Sequence, residues 1–317
     1  MSRGVWPAVA AAATGIQVGT AMVATRFVVD QTGPASLALL RYCIGAACLL
    51  PAVALSRSRV RFAARDLAPI ALLGITQFGI LIALLNYGLR TVPSARAALI
   101  FATFPLLTSL VAAALGRERL TSPKVAGVLV TILGVGLALG DKTLQHGAGG
   151  GVWIGELAVF AGALSGAVCS VLYRPYLEKY PTLPVSAFAM LASVAFLAPL
   201  AAGEGFFASG PRFTPGGWLA IAFIGLGSGG GYYLWLWALG HATPTRVTAF
   251  LALSPVTAAA LGAWLLGEPV SSLSVLGLVA VAGGLVLAHL EPGPSLRARA
   301  VNLTASETGP YNSVRRR

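Results

Sequence analysis

Ten apolar runs, separated by short segments that carry most of the charge, constrain this chain more than any other feature. Each run is close to the 20 or so residues that an α-helix needs to cross a bilayer. Only 10% of the residues are charged, against roughly 25% in an average soluble domain. The sequence therefore predicts an all-α integral membrane protein with ten transmembrane helices. They are expected at about 7–29, 35–55, 67–89, 94–115, 122–140, 152–173, 184–201, 216–239, 244–266 and 272–289.

The positions of the cationic residues predict the orientation of these helices. If the N-terminus is cytoplasmic, sixteen of the 22 arginines and lysines fall in cytoplasmic segments, where transmembrane proteins concentrate them. We therefore expect an inner-membrane protein with both termini in the cytoplasm. The polar, basic residues 291–317 are expected to form a disordered cytoplasmic tail. The net charge of +12 would suggest nucleic acid in a soluble protein. Here the topology explains it, so we expect a lipid bilayer and no nucleic acid as partner.

The chain also contains an internal repeat. The aligned pairs are Arg96–Arg246, Pro105–Pro255, Glu118–Glu268, Gly127–Gly277 and Gly134–Gly284 at an offset of 150, and Arg26–Arg174 and Pro51–Pro199 at an offset of 148. They predict one five-helix repeat at 1–145 and a second at 150–290. Because five is odd, the second repeat would enter the membrane from the opposite side. Such inverted-topology repeats are typical of secondary transporters, whose substrate sites lie near the midplane between the repeats.

The last two helices of each repeat carry specific motifs. These are Pro105, Leu115-Gly116-Arg117-Glu118, Gly127 and Gly134 in the first, and Pro255, Leu266-Gly267-Glu268-Pro269, Gly277 and Gly284 in the second. With them, the stretch from Trp6 to His289 resembles the drug/metabolite transporter superfamily, specifically bacterial permeases with two EamA-type repeats. Arg41 resembles an arginine that these proteins carry in the second helix. The first helix departs from the pattern, because Val18-Gly19 and Arg26 replace the usual Trp-Gly pair and lysine.

The resemblance implies ten helices with both ends inside. It also implies transport of small metabolites, often export of amino acids or related compounds, without indicating which one.

Arg41 stands about six residues inside the second run, where a charged side chain is costly. No acidic residue shares that run. One interpretation is a guanidinium that binds the carboxylate or phosphate of a substrate, for which its planar fork is suited. The alternative is a structural arginine that reaches the interface or pairs with a loop acid such as Asp30.

Four polar side chains fall near the middle of their runs: Gln17, Gln77, Ser165 and Ser228. An unpaired amide costs several kcal/mol in an apolar medium, so these groups either bond across helices or face a wet cavity and a polar substrate. We take all four as candidate substrate-binding residues.

The eighth run combines a glycine-rich centre with aromatic residues. Tyr232 and Trp235 share one helix face and are candidates to stack on an apolar part of a substrate; an interfacial aromatic belt is the alternative. Asn86, near the end of the third run, is a further candidate of the same kind.

The repeated prolines and glutamates suggest mechanical roles. Pro105 and Pro255 each remove a backbone hydrogen bond and are candidate hinges, with static kinks as the alternative. Glu118 and Glu268 lie at helix ends and are interpreted as structural residues that cap the following helix or pair with an arginine. A role in proton coupling is the alternative.

The sequence contains no Gly-x-Ser-x-Gly, Walker or His-Glu-x-x-His motif, so no catalytic residue, metal ligand or cofactor is predicted. We expect a secondary transporter or facilitator that exports small anionic or zwitterionic metabolites, such as amino acids, by alternating access. The alternatives are efflux of lipophilic drugs, a lipid-scrambling or structural membrane protein, and a membrane enzyme. We expect a monomer, with a dimer left open.

Overall fold

The structure, a computed structural model, describes residues 5–56, 61–117, 121–145, 152–210, 212–268 and 271–289. Within these ranges the secondary structure is entirely helical. The helices are α1 Val5–Val28, α2 Pro34–Leu55, α3 Ala64–Gly74, α4 Leu81–Gly88, α5 Ser94–Phe101, α6 Phe104–Ala114, α7 Ser122–Gln145, α8 Val152–Lys179, α9 Thr182–Gly203, α10 Phe206–Ser209, α11 Pro215–His241, α12 Pro244–Ala249, α13 Leu253–Leu266 and α14 Ser272–His289. A π-helix at Ile75–Ile80 joins α3 to α4, and 3-10 turns occupy Val29–Gln31 and Phe250–Ala252.

Eight helical segments are long and apolar enough to cross a membrane. They are Trp6–Gln31, Pro34–Leu55, Ala64–Gly88, Ser94–Ala114, Trp153–Lys179, Thr182–Gly203, Pro215–His241 and Pro244–Leu266. The helices α7 and α14 contain shorter apolar stretches, Val125–Gly134 and Ser272–Gly284. The multi-pass all-α class is therefore confirmed, and the count of ten spans stays a prediction. The predicted tail at 291–317 lies outside the described residues.

Large apolar side chains cover the outside of the bundle. Leu133, Leu219 and Trp264 are 66%, 74% and 78% exposed. In a bilayer such side chains face lipid. The inside of the bundle combines aliphatic and aromatic side chains with small residues, and the small residues let helices approach closely.

Glycines set the closest helix contacts. In α1, a Cβ on Gly15 or Gly19 would lie only 2.1 or 2.4 Å from a carbonyl oxygen of Phe250 or Ser254. No real Cβ fits at such distances, so only glycine lets α1 pack against the chain around the Phe250–Ala252 turn. This contact sets one wall of the interior.

The helices α7 and α14 pack mainly against each other. A Cβ on Gly134 would lie 2.8 Å from the Gly277 carbonyl oxygen, and one on Gly284 would lie 2.6 Å from the Gly127 carbonyl oxygen. The contact is reciprocal, because Gly127 aligns with Gly277 and Gly134 with Gly284 in the repeat.

Two apolar segments are interrupted at equivalent places. The first breaks between α5 and α6, and the second passes through the 3-10 turn between α12 and α13. Pro105 and Pro255 lie in the first turn after each break. Each lacks the N–H that would bond to the carbonyl four residues earlier, which belongs to Phe101 and Leu251 respectively.

Candidate functional site

A cavity of about 30 Å³ lies among α1, α2, the α3–α4 segment, the α5–α6 break, α11 and the Phe250–Ala252 turn. Along α1 its lining runs from Thr14 to Thr25, which is about 16 Å at 1.5 Å per residue. The cavity is thus long and narrow and has room for a few water molecules, so a metabolite would require the helices to separate. Its lining residues are Thr14, Val18, Ala21, Met22, Thr25, Arg41, Gln77, Leu81, Ile82, Leu85, Phe101, Phe104, Tyr232, Trp235 and Leu251.

Arg41 is the charged residue of this lining and is 4% exposed. Its Nε–H donates to Ser228 Oγ of α11 at 2.5 Å, and the Ser228 hydroxyl donates to the Ile224 carbonyl at 2.6 Å. Among the described residues, no carboxylate pairs with Arg41. Because Nε is occupied, the two terminal amino groups remain to receive an anion, and their N–H bonds match a carboxylate.

A pair of tyrosines lies beside this arginine. Tyr42 is fully buried, and its hydroxyl donates to the Tyr232 hydroxyl oxygen at 3.0 Å. Phe78 packs on both rings, with centroids 5.6 Å from Tyr42 and 4.6 Å from Tyr232. Because Tyr232 accepts from Tyr42, its own hydroxyl hydrogen is free to donate into the cavity that Tyr232 lines.

Gln77 and Trp235 supply the other polar atoms of interest in the lining. Gln77 lies in the π-helix between α3 and α4, and Trp235 lies in α11 and packs edge-on against Phe104. Both side chains are nearly fully buried. Neither Gln77 Oε1 nor Trp235 Nε1 has a hydrogen-bond partner in the described part of the chain.

The two helix breaks meet at the same cavity. Phe101 and Leu251, the residues whose carbonyls lose an N–H partner to Pro105 and Pro255, both belong to its lining. Irregular backbone is tolerated at membrane depth where it is buried in protein or lines a cavity. The proposed hinges therefore adjoin the site.

Four of the eight predicted binding residues are not among the lining: Gln17, Asn86, Ser165 and Ser228. Gln17 lies against α11, where a Cβ on Gly227 would be 3.1 Å from Gln17 Nε2 and one on Gly231 would be 2.9 Å from Oε1. Ser228 reaches the cavity only through Arg41. Gln17 thus fills the space that two glycines leave, and Ser228 orients the arginine.

Asn86 and Ser165 connect helices elsewhere. Asn86 Nδ2 donates to the Pro34 carbonyl at 2.9 Å and is 1% exposed. Ser165 Oγ donates to the Thr76 carbonyl at 3.3 Å. The structure brings Arg41, Gln77, Tyr232 and Trp235 together at one cavity and distributes the other four around it.

Sequence reasoning missed several residues of the site. Tyr42 follows Arg41 directly, but a tyrosine in an apolar run gives no signal of its hydroxyl partner. Thr14 and Thr25 are spaced eleven apart, which is close to three helical turns and puts them on one face of α1. That spacing was the one available signal for them.

Glu268 contacts a different helix from the one expected. Its carboxylate accepts from the Ser94 backbone N–H at 3.0 Å and from the Ser94 hydroxyl at 2.5 Å. It therefore caps α5 of the first repeat and not the helix that follows it in sequence. A carboxylate at a helix N-terminus is favourable because the free N–H groups there carry partial positive charge. Glu118 lies outside the described residues.

Comparison with known proteins finds one matching family, several similar proteins and a similar solved structure. The EamA-like transporter family matches residues 5–140 and again residues 153–290. A protein of Streptantibioticus cattleyicolor, named as a probable terminal-alkyne amino-acid exporter, is 32% identical over 284 residues, which cover 87% of this chain and 90% of that protein. The uncharacterized transporter YyaM of Bacillus subtilis is 24% identical over 278 residues, or 86% and 90% of the two chains. One solved crystal structure is similar with a TM-score of 0.67 and 25% identity, over 93% of this chain and 98% of that one.

Proposed function

This chain belongs to the EamA-like transporter family, and we propose that it exports small anionic or zwitterionic metabolites, such as amino acids, across the inner membrane. The family and the named relatives point to a transporter and not to an enzyme. The cavity between the broken helices is the proposed substrate site, and alternating access is the proposed mechanism.

The observation that carries the proposal is that the guanidinium of Arg41 is buried and pairs with no carboxylate of the described residues. Removing a charge from water costs several kcal/mol unless a partner compensates it, and Ser228 supplies one neutral acceptor. A substrate carboxylate on the two terminal amino groups would complete the compensation. The site therefore favours a substrate that brings a negative charge and disfavours one that is purely cationic.

Acceptors for an ammonium group are available in the same cavity. Pro105 and Pro255 cannot donate to the carbonyls of Phe101 and Leu251, and both residues line the cavity. The Leu251 carbonyl accepts from the Leu253 N–H, so the Phe101 carbonyl is the better candidate. A zwitterion could therefore place its carboxylate on Arg41 and its ammonium near a helix break. The name of the Streptantibioticus cattleyicolor relative also supports an amino acid as substrate.

Two inverted five-helix repeats are part of the proposal, with both termini in the cytoplasm. The double family match, the reciprocal glycine contact of α7 and α14 and the equivalent helix breaks support them. Hydrogen bonds at the two ends of the bundle add to this support. The Ala63 N–H before α3 donates to Tyr180 Oη at 3.1 Å, and the Thr214 N–H before α11 donates to Gln31 Oε1 at 2.9 Å.

These two bonds occupy equivalent positions at opposite ends of the bundle. In each, a residue just before the third helix of one repeat donates a hydrogen bond to a residue just after the first helix of the other repeat. Alternating access requires one end to open while the other stays closed. We propose that the hydrogen bond at Gln31 and the hydrogen bond at Tyr180 are broken in turn, while the interrupted helices bend at Pro105 and Pro255.

The test is exchange of labelled metabolites by purified protein in liposomes. The panel contains amino acids, other carboxylates, an amine without a carboxylate and a lipophilic dye. We expect Arg41→Gln to reduce carboxylate exchange at least tenfold, because the substrate carboxylate loses Arg41, the one cation in the lining that the structure describes. Arg61→Gln is the matched control, since Arg61 is exposed.

The outcomes separate the alternatives. Carboxylate exchange that depends on Arg41 and not on Arg61 supports the proposal. Dye efflux that is indifferent to Arg41→Gln would favour export of lipophilic compounds. Exchange of no solute above empty vesicles, with lipid redistribution instead, would favour a scramblase and refute the proposal.

A further inference from the structure

Two polar atoms in the wall of the cavity have no partner. Trp235 Nε1 and Gln77 Oε1 are left without a hydrogen bond among the described residues, although their side chains are only 3% and 4% exposed. The large majority of buried side-chain polar atoms in proteins have a hydrogen-bond partner. Other buried atoms of the described chain, such as Tyr173 Oη and Ser193 Oγ, also lack a partner, but Gln77 and Trp235 are the residues of this kind that line the cavity. Their shared location therefore requires an explanation.

Trp235 lies at a distance from the arginine, and Gln77 lies one turn from Leu81, which converges on Gly166 together with Phe104, the ring that packs against Trp235. Ser228, which holds the Arg41 guanidinium, and Trp235 are seven residues apart on α11, or about 10 Å along the helix axis. The walls next to them are apolar and include Leu81, which lies one turn from Gln77, and Phe104. The lining thus combines apolar walls with Arg41, the Gln77–Trp235 pair, the Tyr232 hydroxyl and the two threonines of α1.

We propose that Gln77 and Trp235 form a second polar subsite, which binds an uncharged hydrogen-bonding group at the end of the substrate remote from its carboxylate. The inference rests on the proposed function, in which Arg41 receives that carboxylate. An indole N–H can only donate, so the group must carry a lone pair. The amide oxygen accepts, so the group should also carry a hydrogen. A hydroxyl and a carboxamide satisfy both.

A charged terminal group does not fit this subsite. Trp235 and Gln77 are neutral, and within the described residues the cavity lining contains no acid and no second cation besides Arg41. A terminal ammonium or carboxylate would therefore lose its water without gaining a counter-charge. The subsite excludes dicarboxylates and basic amino acids by desolvation.

The spacing also limits the length of the substrate. If the two polar groups are as far apart as Ser228 and Trp235 are along the axis of α11, a hydrogen bond of about 3 Å at each end leaves roughly 4 to 5 Å between the carboxylate and the terminal group, which is about four bonds of an extended chain. The substrate class is a short carboxylate with a neutral polar group about four bonds away. L-glutamine has this form, and L-methionine is an apolar match of similar length.

The experiment compares L-glutamine with L-methionine in proteoliposomes, at concentrations where flux reports substrate affinity. Wild-type protein should favour glutamine about tenfold, or about 1.4 kcal/mol. Trp235→Phe keeps an aromatic ring and removes the N–H, and Gln77→Leu removes the amide. Each should bring the preference close to one, mainly through loss of glutamine flux, and a purely structural role would not produce such a substrate-selective change. Trp237→Phe is the matched control, because Trp237 stacks on His241 and does not line the cavity.

The outcomes distinguish this inference from the proposed function. Equal flux of both amino acids in wild-type protein, or a preference that survives both Trp235→Phe and Gln77→Leu, overturns the subsite and leaves the carboxylate site standing. Flux of no carboxylate at all overturns the proposed function and the subsite with it. If one variant does not fold, the other decides the question, because each removes one of the two unpaired atoms.

Discussion

Replacing Ser228 with alanine tests whether this side chain acts by orienting Arg41. The serine accepts the Arg41 Nε–H at 2.5 Å and returns its own hydrogen to the Ile224 carbonyl at 2.6 Å. Ser228→Ala deletes the acceptor and leaves the helix intact, because the Ile224 carbonyl keeps its place in the backbone ladder. The change leaves a buried N–H donor on a charged group without a partner.

The size of the effect follows from the charge on the donor. A hydrogen bond to a charged group contributes about 1.5–3 kcal/mol, and each 1.4 kcal/mol changes an equilibrium constant tenfold. We therefore expect KM for a carboxylate substrate to rise by roughly 10- to 100-fold in Ser228→Ala. Exchange of a substrate without a carboxylate should not change.

The assay is initial-rate exchange in proteoliposomes, with folded yield measured by size-exclusion chromatography. Ser170→Ala is the control, because Ser170 is also fully buried and also donates to the carbonyl four residues earlier, that of Gly166, at 2.8 Å. Its loss should leave KM unchanged. In an Arg41→Gln background Ser228→Ala should add nothing, since the two side chains act as one unit. A KM within twofold of wild type in Ser228→Ala would refute the orienting role.

Two further predictions concern helix packing and the ends of the bundle. Gly134→Ala should lower the thermal unfolding midpoint in detergent, because its Cβ would lie 2.8 Å from the Gly277 carbonyl oxygen. In the control Gly136→Ala the new Cβ has nothing within 4 Å, so the midpoint should be equal or higher, since alanine favours a helix. Equal shifts in the two variants would contradict the packing argument. Next to the hydrogen bond of Tyr180 with Ala63 lies a partly exposed ion pair of Lys179 with Asp66, which salt screens. Transport should therefore vary with ionic strength in wild type and less so in Lys179→Met. An unchanged salt response in that variant would exclude this pair from gating.

The membrane class and the position of most helices follow from the sequence, because transfer free energies of side chains add along a helix. The approximate position of the helix breaks could also be predicted, because Pro105 and Pro255 each remove one backbone donor and disturb the turn before them. The breaks themselves lie upstream of the prolines, around Ala102 and in the Phe250–Ala252 turn. The hinge role remains a prediction.

The candidate site was only partly predictable. Arg41 stood out because an isolated charge in an apolar run is costly wherever it points. Gln17 and Gln77 looked alike in sequence, yet Gln17 fills the groove beside Gly227 and Gly231 and Gln77 lines the cavity. Tyr42 gave no signal, because its hydroxyl acquires a role only when α11 brings Tyr232 to it.

The sequence by itself determined that this chain is a helical membrane protein, that it resembles one transporter family, and that a lone arginine lies within its apolar interior. Those properties follow from side-chain transfer free energies that add along the chain and from the order of residues in its motifs. Only the tertiary structure decided that Ser228 serves Arg41, that Glu268 caps α5, and that Gln77 and Trp235 share one cavity without partners. Such pairings depend on the rotation of each helix about its axis, which close packing against neighbouring helices fixes and which the order of residues in one helix does not state.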